Sequence, residues 1–353
     1  MALAYRWPLS SATLAALVVL TLVAAACGGG GSTTVTGLAS PADLRGRTVG
    51  VVSLTDGSTL EARLLLQEAY GLDVSLDVGD VTLVESPAES LSTLLQSGDI
   101  DAAVVSHLGA FRLLDDERFR LLSRVTEELR EITGTPIMSS ILITYPDVAD
   151  QRADALVELN RMLTESVTYF RANRDVVIEA VAVDQTIDVE FLRWWWDKHD
   201  LPLGDLSTDL QERLLHIWEA ARTLGDIEEY PKLASVLFNP EGDQEESPDA
   251  GEQSEATKGD RTTVSLALFD DASRRAVLYA IEQGIVTSDL VDIDLTYLPN
   301  SALMEAAPAK QYDVIEASPL LVPLGRAQDL DVVVLSGGLQ RLDGTFLFVR
   351  NGR

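Results

Sequence analysis

The chain has 353 residues, enough for two lobes of ordinary domain size, and 46% of them are apolar, as in a globular protein. A formal charge of −29 disfavours nucleic acid, whose binding needs a basic face, and argues against adsorption to anionic lipid. With Cys27 as its only cysteine, the chain has no disulfide and no thiolate metal cluster.

Residues 1–27 read as a targeting segment. Arg6 is the only charged side chain before Cys27, and residues 9–26, LSSATLAALVVLTLVAAA, form an apolar run that ends in small residues. The VAAAC ending resembles a bacterial lipobox, in which the cysteine is freed at its N-terminus and lipidated; Ala24 stands where Leu is more usual. Lipidation of Cys27 leaves no thiol nucleophile. The competing reading is an uncleaved anchor, because about 18 apolar residues just span a bilayer. Both place the rest outside the cytoplasmic membrane. Residues 28–42, GGGGSTTVTGLASPA, are a flexible tether.

Regular structure then begins in strand–helix alternation. Strand Thr48–Ser53 leads to a helix over Ser58–Tyr70 that Gly71 stops; strand Val81–Glu85 leads to a helix from Pro87 to Gln96 that Gly98 closes. Strand Asp101–Ser106, helix His107–Leu114 and strand Phe119–Val125 complete an α/β lobe over residues 43–138. Ser139–Tyr145 is an isolated strand ended by Pro146. A helical tail packing on the other lobe then runs to residue 238, with the strand as its hinge return. Residues 239–261 are acidic, rich in Pro, Gly and Ser, and lack bulky apolar residues, which predicts a disordered linker. Alternation resumes in residues 262–353. Strand Thr262–Leu268, helix Ala272–Gln283, strand Val291–Leu298 and helix Ser301–Ala307 come first. Strand Tyr312–Glu316, a short helix from Pro319, strand Asp331–Ser336 and a second hinge strand, Thr345–Arg350, come next.

The two α/β segments repeat one another. Residues 48–72 align with 263–285, and 81–114 with 293–325; RFRLLSRV aligns with LDVVVLSG, and SSILITYPD with GTFLFVRNG. A repeat of this length reads as two lobes rather than a solenoid.

Residues 43–59, DLRGRTVGVVSLTDGST, with the GDIDAAVV run, a return strand and a helical tail, resemble the second lobe of periplasmic solute-binding proteins of ABC importers. The group concerned serves nitrate, sulfonates, taurine and thiamine-precursor pyrimidines. Residues 262–350 resemble that family's first lobe, so the lobe order is reversed and the chain reads as circularly permuted. A complete second lobe followed by a truncated second protein is the competing view. Permutation would place Arg353 beside residues 37–43, with the acidic linker joining the ancestral termini. The resemblance implies a two-lobed periplasmic-binding-protein fold and a monomer without cofactor or metal. It also implies a small-molecule ligand, ABC permease and ATPase partners, and membrane attachment through the lipid.

Ligands of open α/β sheets bind at the carboxyl ends of strands. The loops selected this way are Thr55, Asp56, Gly57 and Ser58; Ser106 and His107, with Phe111 one turn on; Phe269, Asp270 and Asp271; Asn300; Glu316 and Ser318; and Ser336. Each Asp or Ser among them is equally a helix cap, and His107 can cap its own helix. Free carboxylates at Asp56, Asp270, Asp271 and Glu316 would repel small anions and favour an amine or a heterocycle with N–H donors. Trp194–Trp195–Trp196 is expected to pack on the first lobe, since neighbours on a helix diverge. His199 and His216 lack metal-ligand spacing. No GxSxG, HExxH or nucleotide-phosphate motif is present, so the chain is not expected to be an enzyme. The expected function is delivery of a small organic molecule to an ABC importer; the alternative is a sensing or scaffold lipoprotein on the same fold.

Overall fold

The computed structural model describes residues 37–54, 56–76, 78–134, 138–200, 203–240, 261–338, 340–341 and 344–352. Cys27, Thr55, the signal segment, Arg353 and residues 241–260 of the linker lie outside these. The described elements begin with β1 (Arg47–Val51), α1 (Gly57–Tyr70), β2 (Val81–Glu85), α2 (Ala88–Ser97), β3 (Ala102–Ser106), α3 (His107–Leu114), β4 (Phe119–Ser123) and α4 (Val125–Thr133). The crossing strand β5 (Ile141–Thr144) is next, with tail helices α5 (Pro146–Gln151), α6 (Ala153–Ala172), α7 (Arg174–Asp184) and α8 (Val189–Lys198). Then come β6 (His199–Asp200) and α9 (Thr208–Thr223). The last part is β7 (Thr262–Phe269), α10 (Ala272–Glu282), β8 (Val291–Leu298), α11 (Asn300–Ala306), β9 (Val314–Ala317), α12 (Leu321–Arg326), β10 (Val333–Gly337), β11 (Gln340–Arg341) and β12 (Thr345–Arg350).

Two mixed five-stranded sheets form two α/β lobes. One has the order β2-β1-β3-β12-β4 and the other β8-β7-β9-β5-β10. Each lobe therefore receives one antiparallel strand from the other half of the chain: β12 lies between β3 and β4, and β5 between β9 and β10. The chain crosses between lobes at both places.

The repeat is carried by register. Val49 and Gly50 pair with Ala102 and Ala103 as Leu266 and Ala267 pair with Val314 and Ile315. Just before β3, Asp101 accepts from the Thr48 backbone N–H at 3.0 Å; just before β9, Asp313 accepts from Ser265 N–H at 2.9 Å. Thr48 thus corresponds to Ser265, two residues beyond the Thr263 that the sequence alignment selects, because the stretch from Thr48 to Asp56 is two residues longer than the stretch from Ser265 to Asp271. Both fourth strands carry a bulge at a Leu-Ser pair. Leu122 is extra between Leu121 and Ser123, and Leu335 between Val334 and Ser336. A bulge bends its strand and re-aims the side chains beyond it, here the two serines at the strand ends.

The lobe of β1–β4 is packed on one face by α1 and α4 and on the other by α2 and α3, where Leu91, Leu95, Ala110 and Phe348 are buried. In the second lobe α10 packs against α6, α7 and α8, and Ser166 Oγ donates to Val277 O at 2.6 Å. Helix α9 lies against α1 instead, and Trp218 Nε1 donates to Pro319 O of the other lobe at 2.9 Å. After α9, Asp226 receives both guanidinium nitrogens of buried Arg63 on α1, at 2.6 and 2.9 Å. One apolar cluster accordingly runs from Leu60 and Leu64 through Leu214 and Ile217 to Leu303 and Val322.

Two elements depart from the sequence reading. Val125–Thr133 is a helix rather than the end of a strand and a loop: Val125 and Leu129 are buried four residues apart, with Glu127 and Glu128 in its first turn. The ladder of β6 with β11 is only two residues long on each side, too short for any periodicity to signal. At the chain's outer edge, Arg350 pairs with Phe119, and the neighbouring Arg120 guanidinium donates to Leu38 O.

Candidate functional site

Strand geometry puts the loops that come after β1, β3 and β4 opposite those that come after β7, β9 and β10. Segments Ser139–Ser140 and Gly344–Thr345 lead into the two crossing strands. Helices α1 and α10 begin at equivalent Asp-x-Ser sequences. Asp56 accepts from Ser58 Oγ, and Asp271 accepts from Ser273 Oγ and from the Arg274 backbone N–H at 2.9 Å. Asp271 is a helix cap in the ordinary sense.

The most constrained part of the site is a buried ion network. Arg274, on the first turn of α10, reaches Asp271 at 2.5 Å and Glu316, on β9, at 2.8 Å. Glu316 also accepts from Ser140 Oγ at 2.7 Å and from Phe269 N–H at 3.1 Å. Burial alone would push the Asp271 carboxyl up, but the charges of Arg274 and then His107, with Ser273 donating, hold it below the usual carboxylate range. Burial pulls Arg274 down, and the charges of Asp271 and Glu316 outweigh it and raise it. Asp271's stabilising contribution is therefore present above its unfolded value of about 3.9 and is lost as pH falls through the lower folded value. Asp271→Asn should flatten the loss of stability below about pH 4 in urea unfolding, relative to the unchanged protein. An identical acid limb would contradict this assignment.

This network corrects the electrostatic reading of the loops. Asp271 and Glu316 are not free carboxylates, because one buried guanidinium sits between them. Asp270 is half-exposed and paired with Arg275 at 2.9 Å. The preference for an amine, argued from free acids, loses its basis.

Across from the network, His107 at the end of β3 projects from the other lobe. Its φ is +57°, a left-handed conformation uncommon outside glycine. Its ring meets Phe191 at 4.9 Å and Trp195 at 4.4 Å, both edge to face, and its Nε2 lies 4.0 Å from Asp271 Oδ2. The backbone after β10 also passes closely. A Cβ on Gly338 would fall 2.5 Å from Ser140 Oγ, and one on Gly344 would overlap the His199 imidazole. Two buried polar atoms in this region lack a hydrogen-bond partner among the described residues: Ser123 Oγ, at the end of β4, and Trp195 Nε1.

Of the residues selected from sequence, Asp271, Glu316 and Phe269 join one network, and His107 faces it. Phe269's ring lies under the Arg274 guanidinium at 5.3 Å. Gly57 is buried against Ser139, Ser58 is buried, and Ser106 pairs with Thr345. Ser336 is buried at the bulge, its hydroxyl 3.3 Å from Gly337 O. Phe111 is half-buried against Phe191 and Trp194. Ser318 accepts from Leu320 N–H in a local turn, and exposed Asn300 stands outside the network. Sequence reasoning missed Arg274, Ser140 and Phe191. Arg274 was legible as a cation three residues after a capping Asp.

The tryptophan run differs in part from expectation. Trp194 turns to Phe111 and Phe346 of the β1–β4 lobe, Trp195 meets His107 and stacks on His199, and Trp196 meets Phe170; Trp195 and Trp196 do share an apolar cluster with β7 and α10, the lobe expected. Among the described residues no group of side chains could hold a metal, and no helix is long and apolar enough to cross a membrane.

Fold and site define a two-lobed α/β protein with a polar junction between lobes that are crossed twice by the chain. The chain belongs to the menaquinone biosynthesis family, whose model matches residues 8–217. No curated protein matches it. Among solved structures it is similar to the aliphatic sulphonate binding protein SsuA of Escherichia coli, at 10% identity and a TM-score of 0.32. That match covers 87% of this chain and 62% of the other. It is also similar to the binding protein AgaA of A. tumefaciens in complex with agropinic acid, at 12% and 0.36, covering 80% and 57%. A third is a phosphate-binding protein from Streptococcus pneumoniae, at 12% and 0.30, covering 86% and 88%. The chain thus spans about three fifths of the length of the first two.

Proposed function

We propose that this chain is an extracytoplasmic binding protein, monomeric and lipid-anchored through Cys27. In this reading it traps a small organic molecule between its lobes and presents it to the permease and ATPase of an ABC importer. The observation that carries the reading is the junction itself. Strand ends of both lobes, the starts of α1, α3 and α10 and both crossing segments converge there, and Ser123 Oγ and Trp195 Nε1 are buried beside it without a hydrogen-bond partner among the described residues. Such a site takes a ligand that bridges both lobes and so favours their closed arrangement. Arg274 stands between two of its buried acids, Asp271 and Glu316, and Trp195 Nε1 can only donate. This favours an organic ligand with acceptor atoms. A sensing lipoprotein would use the same site; a permease gene beside this one separates the two.

The family description supports a second reading, a chemical step on a small molecule of menaquinone biosynthesis. It would draw on His107 and Asp271, an acid–base pair facing the junction. Turnover of a bound compound favours this reading, and stabilisation without turnover favours the first.

A thermal-shift screen with pyrimidines, amines, amino acids, sulfonates and nitrate tests both, because a ligand of the folded state raises the melting temperature. Stabilisation by an organic compound is expected; stabilisation by inorganic anions alone would overturn the proposed ligand class.

The reversed lobe order is proposed to be a circular permutation. The identical strand orders support it, as does the Arg120–Leu38 contact beside the end of β12. A rearranged chain running 261–350, a short linker, then 38–240 should fold with an unchanged circular-dichroism spectrum. An unfolded product would count against it.

A further inference from the structure

His107 is a residue of one lobe seated in a socket made by the other lobe and the tail. Its α-carbon holds a left-handed conformation, strained for a residue other than glycine and persistent only where its surroundings fix it. The socket walls are Phe191 and Trp195 of α8, and its floor is Asp271 at the start of α10. The charged groups placed around it among the described residues are these. Asp271 and Arg274 come from α10 and Glu316 from β9 behind Arg274; His199 stacks on Trp195 at 3.4 Å, its Nδ1 on Trp195 O at 2.8 Å. On its own helix, Arg112 is exposed. Arg274 is shared between two carboxylates, so the three groups carry one net negative charge, and Asp271 is the member nearest His107. The imidazole lies 4.9 Å from the Phe191 ring centroid and 4.4 Å from that of Trp195, near enough for either π-system to interact with a cation.

We propose that His107 is a cross-lobe latch: its imidazolium, held between Phe191 and Trp195, pairs with Asp271 and keeps the two lobes together in the absence of ligand. The ligand-free protein then closes as the imidazole takes up a proton and opens as it loses one. His107 acts on ligand affinity through this equilibrium, as a positioning residue, whether the captured molecule is later transported, sensed or turned over. The sign is set by linkage. Closure gathers Asp271 toward the ring, so the closed form binds the proton more tightly, and raising the pH draws the population toward the open form.

The test uses the ligand-free full chain in detergent, with Cys27→Ala and spin labels at exposed Glu89→Cys and Asp289→Cys, one in each lobe. Distances are measured by electron–electron double resonance. The latch predicts one short distance at about pH 6 and a longer population at about pH 8.5, a window that brackets an ordinary histidine. The ratio of open to closed should change about fivefold, the size of a partly exposed ion pair. His107→Asn keeps a residue that tolerates the left-handed turn but carries no charge. Asp271→Asn keeps a good helix cap. Each should show the longer population already at about pH 6 and no response to pH. Identical distances at both pH values in the unchanged protein overturn the latch, as does a pH response that survives in His107→Asn. Neither result bears on whether the junction binds a ligand.

Discussion

Arg274→Ala is expected to cost about 3–5 kcal/mol of folding stability, because it leaves Asp271 and Glu316 buried together without a counter-charge. Both carboxylates are less than a tenth exposed, and Glu316 is already held by Ser140 and Phe269 N–H, so neither can turn to solvent without breaking the end of β9. Arg274→Lys keeps the charge but not the fork that reaches two acids at once, and should recover only part of the loss. The combination Arg274→Met, Asp271→Asn and Glu316→Gln should recover more than half, since it removes the buried charges as a set. Urea unfolding of the four proteins measures this. An Arg274→Ala protein within about 1 kcal/mol of the parent would mean that the acids are hydrated, contrary to the network described.

Trp195→Ala is the second large effect, also about 3–5 kcal/mol, from a fully buried ring that leaves a cavity between lobe and tail. The loss differs in kind from that at Arg274. It removes one wall of the His107 socket and the ring on which His199 stacks. Trp195→Phe should cost less, because it keeps a ring there and removes an indole N–H that has no partner among the described residues. Thermal unfolding of both variants checks the order; equal losses would mean that the indole N–H is satisfied rather than waiting for a ligand.

The fold was largely legible in the sequence because its signals are local. Gly71 and Gly98 end α1 and α2, and Pro146 ends β5 and opens α5. The repeat could be aligned because Asp101 and Asp313 mark the same place before the third strand of each lobe, and Asp56 and Asp271 the same helix start. Its small errors came from features with no residue signature, namely a strand-to-helix stretch two residues longer in one lobe and the bulges at Leu122 and Leu335. Ligand-side loops could be selected because strand ends fix them. Charge could not be read the same way: Asp271 and Glu316 stand 45 positions apart in the sequence, and only folding brings one guanidinium between them. The socket of His107 was hidden for the same reason, since α3 and α8 meet only in three dimensions.

The central claim is that one ligand is held by both lobes at this junction. Amide hydrogen exchange with and without the most stabilising compound of the screen tests it directly. Bridging predicts protection together in residues 56–61, 106–111, 139–141, 269–274 and 336–338, segments of both lobes and of the crossing connection. Protection confined to one lobe, or lying elsewhere on the chain, would contradict it.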